Sequence, residues 1–294
     1  MAGAPLRSDR LEAYIAAARR RPEPWRLVAG IALAVAGWTA ALLLALKVTR
    51  HTEVGVLLAY LASFAGLIVG VAAAARWLQR RPVATLFGPR GFVSRRFLAG
   101  AAVAAALGAA SAAVVLATSD VTRQASLAGW AARLPLALPA LLVQTAAEEI
   151  AFRGFLMQGL AARFRSPIVW FLLPALLFGL LHWNGEAGVR NAWLMVAATT
   201  VIGLVLADVT VRTGDLSAAM GLHFANNVFA VLVLAPSVPL LSDLALWVVP
   251  LDPGSADAAW SIAFDTCVTL AAWAAWRVLR ARRRRLHSGG AGHI

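Results

Sequence analysis

The residue types that can bind water and move protons gather in the second half of this chain. Glu148 and Glu149 stand side by side, and Arg153 follows Glu149 by four positions. His182 follows Phe178 by four, and Asn227 follows His223 by four. On a helix, positions four apart share a face. Glu149 and Arg153 can therefore neutralise each other locally. Glu148 points about 100° away, the helical step per residue, and keeps a carboxylate without a local partner. A bracing role would need one acid, whereas this sequence sets two in apolar surroundings. A histidine that closes an apolar stretch, taken alone, is an ordinary interfacial residue. His182 gains meaning from His223 at a comparable position in another stretch. Asn226 falls off the His223–Asn227 face and reads as a packing or hydrogen-bonding residue.

Two chemistries fit Glu148, His182, His223 and Asn227 on three separate helices. In one, a carboxylate and an imidazole deprotonate a water that attacks an amide, while the second imidazole and the carboxamide donate to the developing oxyanion. In the other, Glu148, His182 and His223 hold zinc and leave a coordination position open for water. No His-Glu-x-x-His occurs, so the common zinc-protease signature is missing. Nucleophilic catalysis is disfavoured, because the single Cys267 has no nearby histidine and Gly-x-Ser-x-Gly is absent.

These side chains need elements that carry them into an apolar phase. The chain has 294 residues, 61% hydrophobic and 14% charged, with mean hydropathy +0.74. A soluble domain carries roughly a quarter charged residues, so the composition excludes a cytosolic enzyme, a disordered chain and a disulfide scaffold. It predicts an all-α, polytopic membrane protein of about eight transmembrane helices. The expected spans are Leu27–Leu46, Val54–Ala75, Phe97–Thr118, Leu134 through Ala147 continuing to about Arg163, Pro167–His182, Ala192–Ala207, Leu216–Leu234 and Ala258–Trp276. An even number puts both ends of the chain on one side.

The basic residues agree with that count. The net charge is +13, with Lys47 the only lysine. One side collects 21 basic residues: Arg7, Arg10, Arg19 to Arg21 and Arg26; Arg76, Arg80, Arg81, Arg90, Arg95 and Arg96; Arg163, Arg165 and Arg212; Arg277, Arg280 and Arg282 to Arg285. The other side has Lys47, Arg50, Arg123, Arg133 and Arg190. This asymmetry predicts cytoplasmic termini, and in so apolar a chain the arginines orient spans rather than bind nucleic acid. Organisation follows: a basic N-terminal cytoplasmic segment 1–26, a three-span scaffold 27–130, a catalytic transmembrane core 131–278 and a basic tail 279–294. Leu11, Ile15 and Ala18 share a helical face, which fits a short helix on the membrane surface or equally a frayed tail. Pro82, Gly88, Pro89 and Gly91 break any long helix between spans two and three. The stretch Ala235–Asp257, rich in proline and without basic residues, reads as an extracytoplasmic loop with a re-entrant portion as an option.

The three motifs, in order, resemble the CPBP family of intramembrane proteases, which includes the CAAX prenyl endopeptidases and bacterial bacteriocin-processing or immunity relatives. The family pattern Glu-Glu-x-x-x-Arg, Phe-x-x-x-His and His-x-x-x-Asn/Asp is met by Glu148-Glu149-Ile-Ala-Phe-Arg153, Phe178-Gly-Leu-Leu-His182 and His223-Phe-Ala-Asn-Asn227. The resemblance covers about Leu134–Leu234. It implies an intramembrane endopeptidase, with Glu148 and His182 activating water, His223 and Asn227 stabilising the oxyanion, and Glu149, Arg153 and Phe178 supporting the site. It implies a membrane-associated or lipidated peptide or protein as substrate, membrane lipids as partners and a bacterial inner membrane as location. Zinc and metal-free mechanisms both stay open under it. A non-catalytic immunity or adaptor protein is the alternative from another class. A transporter with a proton relay through Glu148, Asp208 and Asp265 is a third, and no repeat symmetry supports it.

Overall fold

The computed structural model describes residues 8–49, 53–238 and 242–289. Arg7 and Arg50, counted above for orientation, lie outside these residues, as do positions 239–241 of the long loop and 290–294 of the basic tail. Nine helices carry the fold: α1 (Asp9–Ile15), α2 (Pro24–Val48), α3 (Gly55–Leu78), α4 (Ser94–Thr118), α5 (Leu127–Arg163), α6 (Ile168–Leu180), α7 (Gly188–Thr213), α8 (Ser217–Val233) and α9 (Ala256–Gly289). Among the described residues six apolar helices are long enough to cross a membrane, and α6 and α8 are shorter apolar helices. The eight apolar stretches predicted from the sequence are thus all helices, and the protein is an all-α polytopic membrane protein.

Local chemistry sets the boundaries. Pro24 opens α2, where its missing N–H is harmless and its φ suits a first turn. Ser126 caps α5 by accepting from the Gly129 amide at 3.1 Å. Pro135 and Pro139 lie inside α5, tolerable where neighbouring helices re-satisfy the freed carbonyls. At about 1.5 Å per residue, α6 spans only about 20 Å of a hydrocarbon core about 30 Å thick. It therefore ends before a full crossing, and His182 sits just past its end.

The second half of the molecule is built around α5, which packs between α3 on one side and α8 on the other, while α4 lies along α8 and α6 along α7. Small residues allow the close approaches. A Cβ on Gly221 of α8 would meet the Phe97 carbonyl carbon of α4 at 2.8 Å, and one on Gly179 of α6 would meet the Val196 carbonyl oxygen of α7 at 2.5 Å. The last helix, α9, is fastened to α7 where the Trp273 indole donates to Asp208 Oδ2 at 2.9 Å. Asp208 also receives Arg212 Nε at 2.8 and 2.7 Å. Asp265 sits on the exposed outer face of α9, away from Asp208.

The N-terminal segment departs from both options left by the sequence. It is a helix, but Leu11, Ile15 and Ala18 are 0%, 0% and 2% exposed, and Leu11 and Ile15 pack in one cluster with Val71, Ile150, Phe155, Met157, Trp170 and Leu216. Its apolar face is turned into the bundle instead of towards lipid, because a protein groove removes that face from water as effectively as a bilayer does. α1 and α9 both reach the C-terminus of α7. Arg10 Nη1 donates to the Arg212 carbonyl at 2.9 Å, and Arg280 Nη2 donates to the same oxygen. The carbonyl end of a helix dipole favours these cations. At the far end a small sheet of order β1-β3-β2 ties the loops. β1 (Thr122–Arg123) pairs antiparallel with β3 (Trp247–Val249), and β2 (Leu234–Pro236) pairs parallel with it. Part of the predicted long loop is therefore strand.

Candidate active site

The site is assembled where α5 loosens from α to π register. The α-helical part of α5 ends at Glu149, and Ile150–Met157 form a π-helical stretch, a local widening found often at functional sites. Glu148 and Glu149 are 8% and 0% exposed, Arg153 is 2% and His223 is 4%. Charges this deep are held by partners. Arg153 Nη1 donates to Glu149 Oε1 at 2.9 Å, the pairing expected from their spacing. Arg153 Nη2 donates to the Gly203 carbonyl of α7 at 3.2 Å, and its guanidinium lies 4.8 Å over the Phe178 ring. One arginine so clamps α5, α6 and α7.

His223, from α8, comes directly between the two acids. Its Nδ1 donates to Glu149 Oε1 at 2.8 Å, and its Nε2 stands 3.5 Å from Glu148 Oε2. At that separation the imidazole and the carboxylate are close but not hydrogen-bonded. Glu148 Oε2 and Glu149 Oε2 are buried without a hydrogen-bond partner among the described residues, an arrangement that invites a polar guest.

The remaining candidates stand around this centre. Phe178 is buried, and its ring neighbours both imidazoles, with centroids 4.7 Å from His182 and 6.0 Å from His223. His182 Nδ1 donates to the Phe178 carbonyl at 2.8 Å, which leaves Nε2 of the neutral ring as an acceptor. Asn227 Nδ2 donates to Gln144 Oε1 at 3.2 Å. Gln144 is one turn before Glu148 on α5, so its carboxamide carries Asn227 to the same helix as the acid. Asn226 Nδ2 reaches Asn227 Oδ1 at 3.4 Å, the hydrogen-bonding part expected of it. Neither His182 nor Asn227 hydrogen-bonds Glu148 directly. The structure thus brings Glu148, Glu149, Arg153, Phe178 and His223 into mutual contact and sets His182 and Asn227 at the rim. Gln144 was not singled out from the sequence, although its i,i+4 relation to Glu148 was a usable signal.

Among the described residues, no group of three His, Cys, Asp or Glu is placed to hold a metal ion. Both ring nitrogens of His223 already face carboxylates, and His182 Nδ1 is taken by the Phe178 carbonyl. Arranged so, the donors do not present the zinc set of Glu148, His182 and His223, so no step below passes through a metal. Asp208, held by Arg212 and Trp273, serves packing and lies outside the acid pair.

Buried acids and an imidazole are gathered on apolar helices of an integral membrane protein. Comparison with known proteins agrees. Residues 129–229, which carry all three motifs, match the family model described as "Type II CAAX prenyl endopeptidase Rce1-like", which bears out the resemblance to the CPBP intramembrane proteases over that part of the chain. "Uncharacterized protein YyaK" of Bacillus subtilis (strain 168) is 37% identical over 97 residues, covering 33% of this chain and 32% of that protein. The chain spans about a third of the length of this curated relative. No solved structure matches the chain.

Proposed function

We propose that this protein is an intramembrane endopeptidase that cleaves a peptide bond in a membrane-associated or lipidated peptide. The carrying observation is the buried Glu148, whose Oε2 lacks a hydrogen-bond partner while His223 Nε2 stands 3.5 Å away. A water bound between Glu148 and the bare Nε2 of His182 attacks the scissile carbonyl carbon. Glu148 takes the proton as the C–O bond forms. Imidazolium Nε2–H of His223 and the Asn227 amide donate to the developing oxyanion. The Glu148 proton then passes to the leaving nitrogen as the C–N bond breaks. The Glu149–Arg153 pair holds His223 in its tautomer. Both chain ends face the cytoplasm of a bacterial cell. The meeting of α1 and α9 at the Arg212 carbonyl supports a common side, and the arginine asymmetry supports which side it is. With Arg163 and Arg165 assigned to the cytoplasmic side, Glu148 lies in the half of α5 nearer that side, and the site opens towards the cytoplasm.

The test uses purified protein in nanodiscs with a library of peptides, prenylated and free. Glu148→Gln and His182→Ala each lower kcat by at least about 10²-fold, within the range of lost acid–base catalysis, and stay folded. Wild-type rates in both variants would remove the assigned mechanism.

A further inference from the structure

The π stretch that carries Arg153 is held from outside the membrane-spanning core by residues of the first third of the chain. Tyr14 of α1 is 1% exposed. Its hydroxyl donates to the Arg153 carbonyl at 3.1 Å, with the Leu86 carbonyl at 3.4 Å. Burial pushes the Tyr14 phenol up from its ordinary pKa, so it remains an O–H donor at any working pH. The neighbouring Gly154 carbonyl receives Arg81 Nη2 at 3.4 Å. Arg81 is itself 1% exposed, its pKa pushed down to about 10 by burial, and it bonds Gln79 and Gln158. The widened helix thus has consecutive carbonyls fastened by two polar side chains that the catalytic motifs do not include. Arg153 is the residue whose guanidinium sets Glu149, and Glu149 Oε1 also accepts from His223.

We infer that Tyr14 is a positioning residue for hydrolysis, acting through the Arg153 backbone to hold Glu149 against His223 and so His223 against Glu148. The inference rests on the endopeptidase reading for its kinetic consequence, though the coupling itself does not. The physical reason is geometric. A π stretch is less tightly bonded than an α-helix and can slip back to α register, which would rotate Arg153 about its axis. The Tyr14 hydroxyl favours the register in which the guanidinium faces Glu149. A displacement of about 1 Å at a supporting group is enough to cost a large factor in rate.

Tyr14→Phe removes the hydroxyl and nothing else. Two measurements are made on the full-length protein in nanodiscs. The first follows the His223 ring N–H resonance in ¹⁵N-histidine-labelled protein, assigned by its loss in His223→Gln. The second is the steady-state cleavage of a peptide. In Tyr14→Phe the resonance moves upfield, as a weakened bond to Glu149 requires, and kcat falls about tenfold with KM within about twofold. Arg10→Ala, which loosens α1 at an exposed hydrogen bond without touching Arg153, leaves both unchanged. An unmoved resonance, or a moved resonance with wild-type kcat, overturns the positioning role, and so does a loss confined to thermal stability. If wild-type protein cleaves no peptide while the resonance still moves in Tyr14→Phe, the coupling stands and the endopeptidase reading fails.

Discussion

Arg153→Met separates the structural from the chemical part of the site. The substitution keeps an unbranched apolar stem and deletes the guanidinium. It leaves Glu149, which is 0% exposed, as a buried carboxylate that has lost its arginine. Removing one partner of a buried ion pair costs about 3–5 kcal/mol. The lower end applies, because His223 Nδ1 remains bonded to Glu149 at 2.8 Å. A loss of about 3 kcal/mol, at about 2 °C per kcal/mol for a chain of this size, lowers the melting temperature by about 6 °C. The assay is thermal unfolding of purified protein in one detergent, read by the fraction that elutes as a single species. The double variant Glu149→Gln with Arg153→Met removes the stranded charge and recovers most of that loss. Peptide cleavage stays low in both, since the guanidinium that fixes position 149 against His223 is gone. A shift of under about 2 °C in the single variant, or no recovery in the double, would show that this pair does not carry the stability assigned to it.

Two further outcomes follow from the geometry. In Gly179→Ala the new Cβ would sit 2.5 Å from the Val196 carbonyl and collide with the Thr200 hydroxyl, so α6 and α7 must separate. Stability falls by about 1–3 kcal/mol, and activity falls further than the folded fraction because His182 rides on the displaced helix; equal losses in both would detach His182 from the chemistry. Asn227→Ala lowers kcat by about 10²–10³-fold through the lost oxyanion donor while the fold is retained, and a loss below tenfold takes Asn227 out of that role.

Much of the architecture was legible because hydrophobic length and helical spacing are local properties. The Glu149–Arg153 contact follows from the i,i+4 rule, and the Phe178–His182 and His223–Asn227 faces follow in the same way. Which imidazole meets Glu148 does not. The spacing rule says that Glu148 leaves the Arg153 face, but the packing of α8 against α5 decides that His223 is the imidazole that arrives there. The π register was equally hidden, since it depends on partners such as Tyr14 and Arg81, distant in sequence. For the same reason the amphipathic face of Leu11 and Ile15 could be read as lipid-facing. Its pattern reports that the face must be dry, and the receiving groove is made by residues 150 to 216.

That groove has a consequence for biosynthesis. The seat of α1 is lined by Ile150, Phe155, Trp170 and Leu216, and Arg10 anchors at position 212. A ribosome must add some two hundred residues after Tyr14 before the seat is complete. Until then the first helix has nowhere to dock, and the fasteners on the Arg153 and Gly154 carbonyls are missing or provisional. The protein therefore completes this centre only after most of the chain has been synthesised.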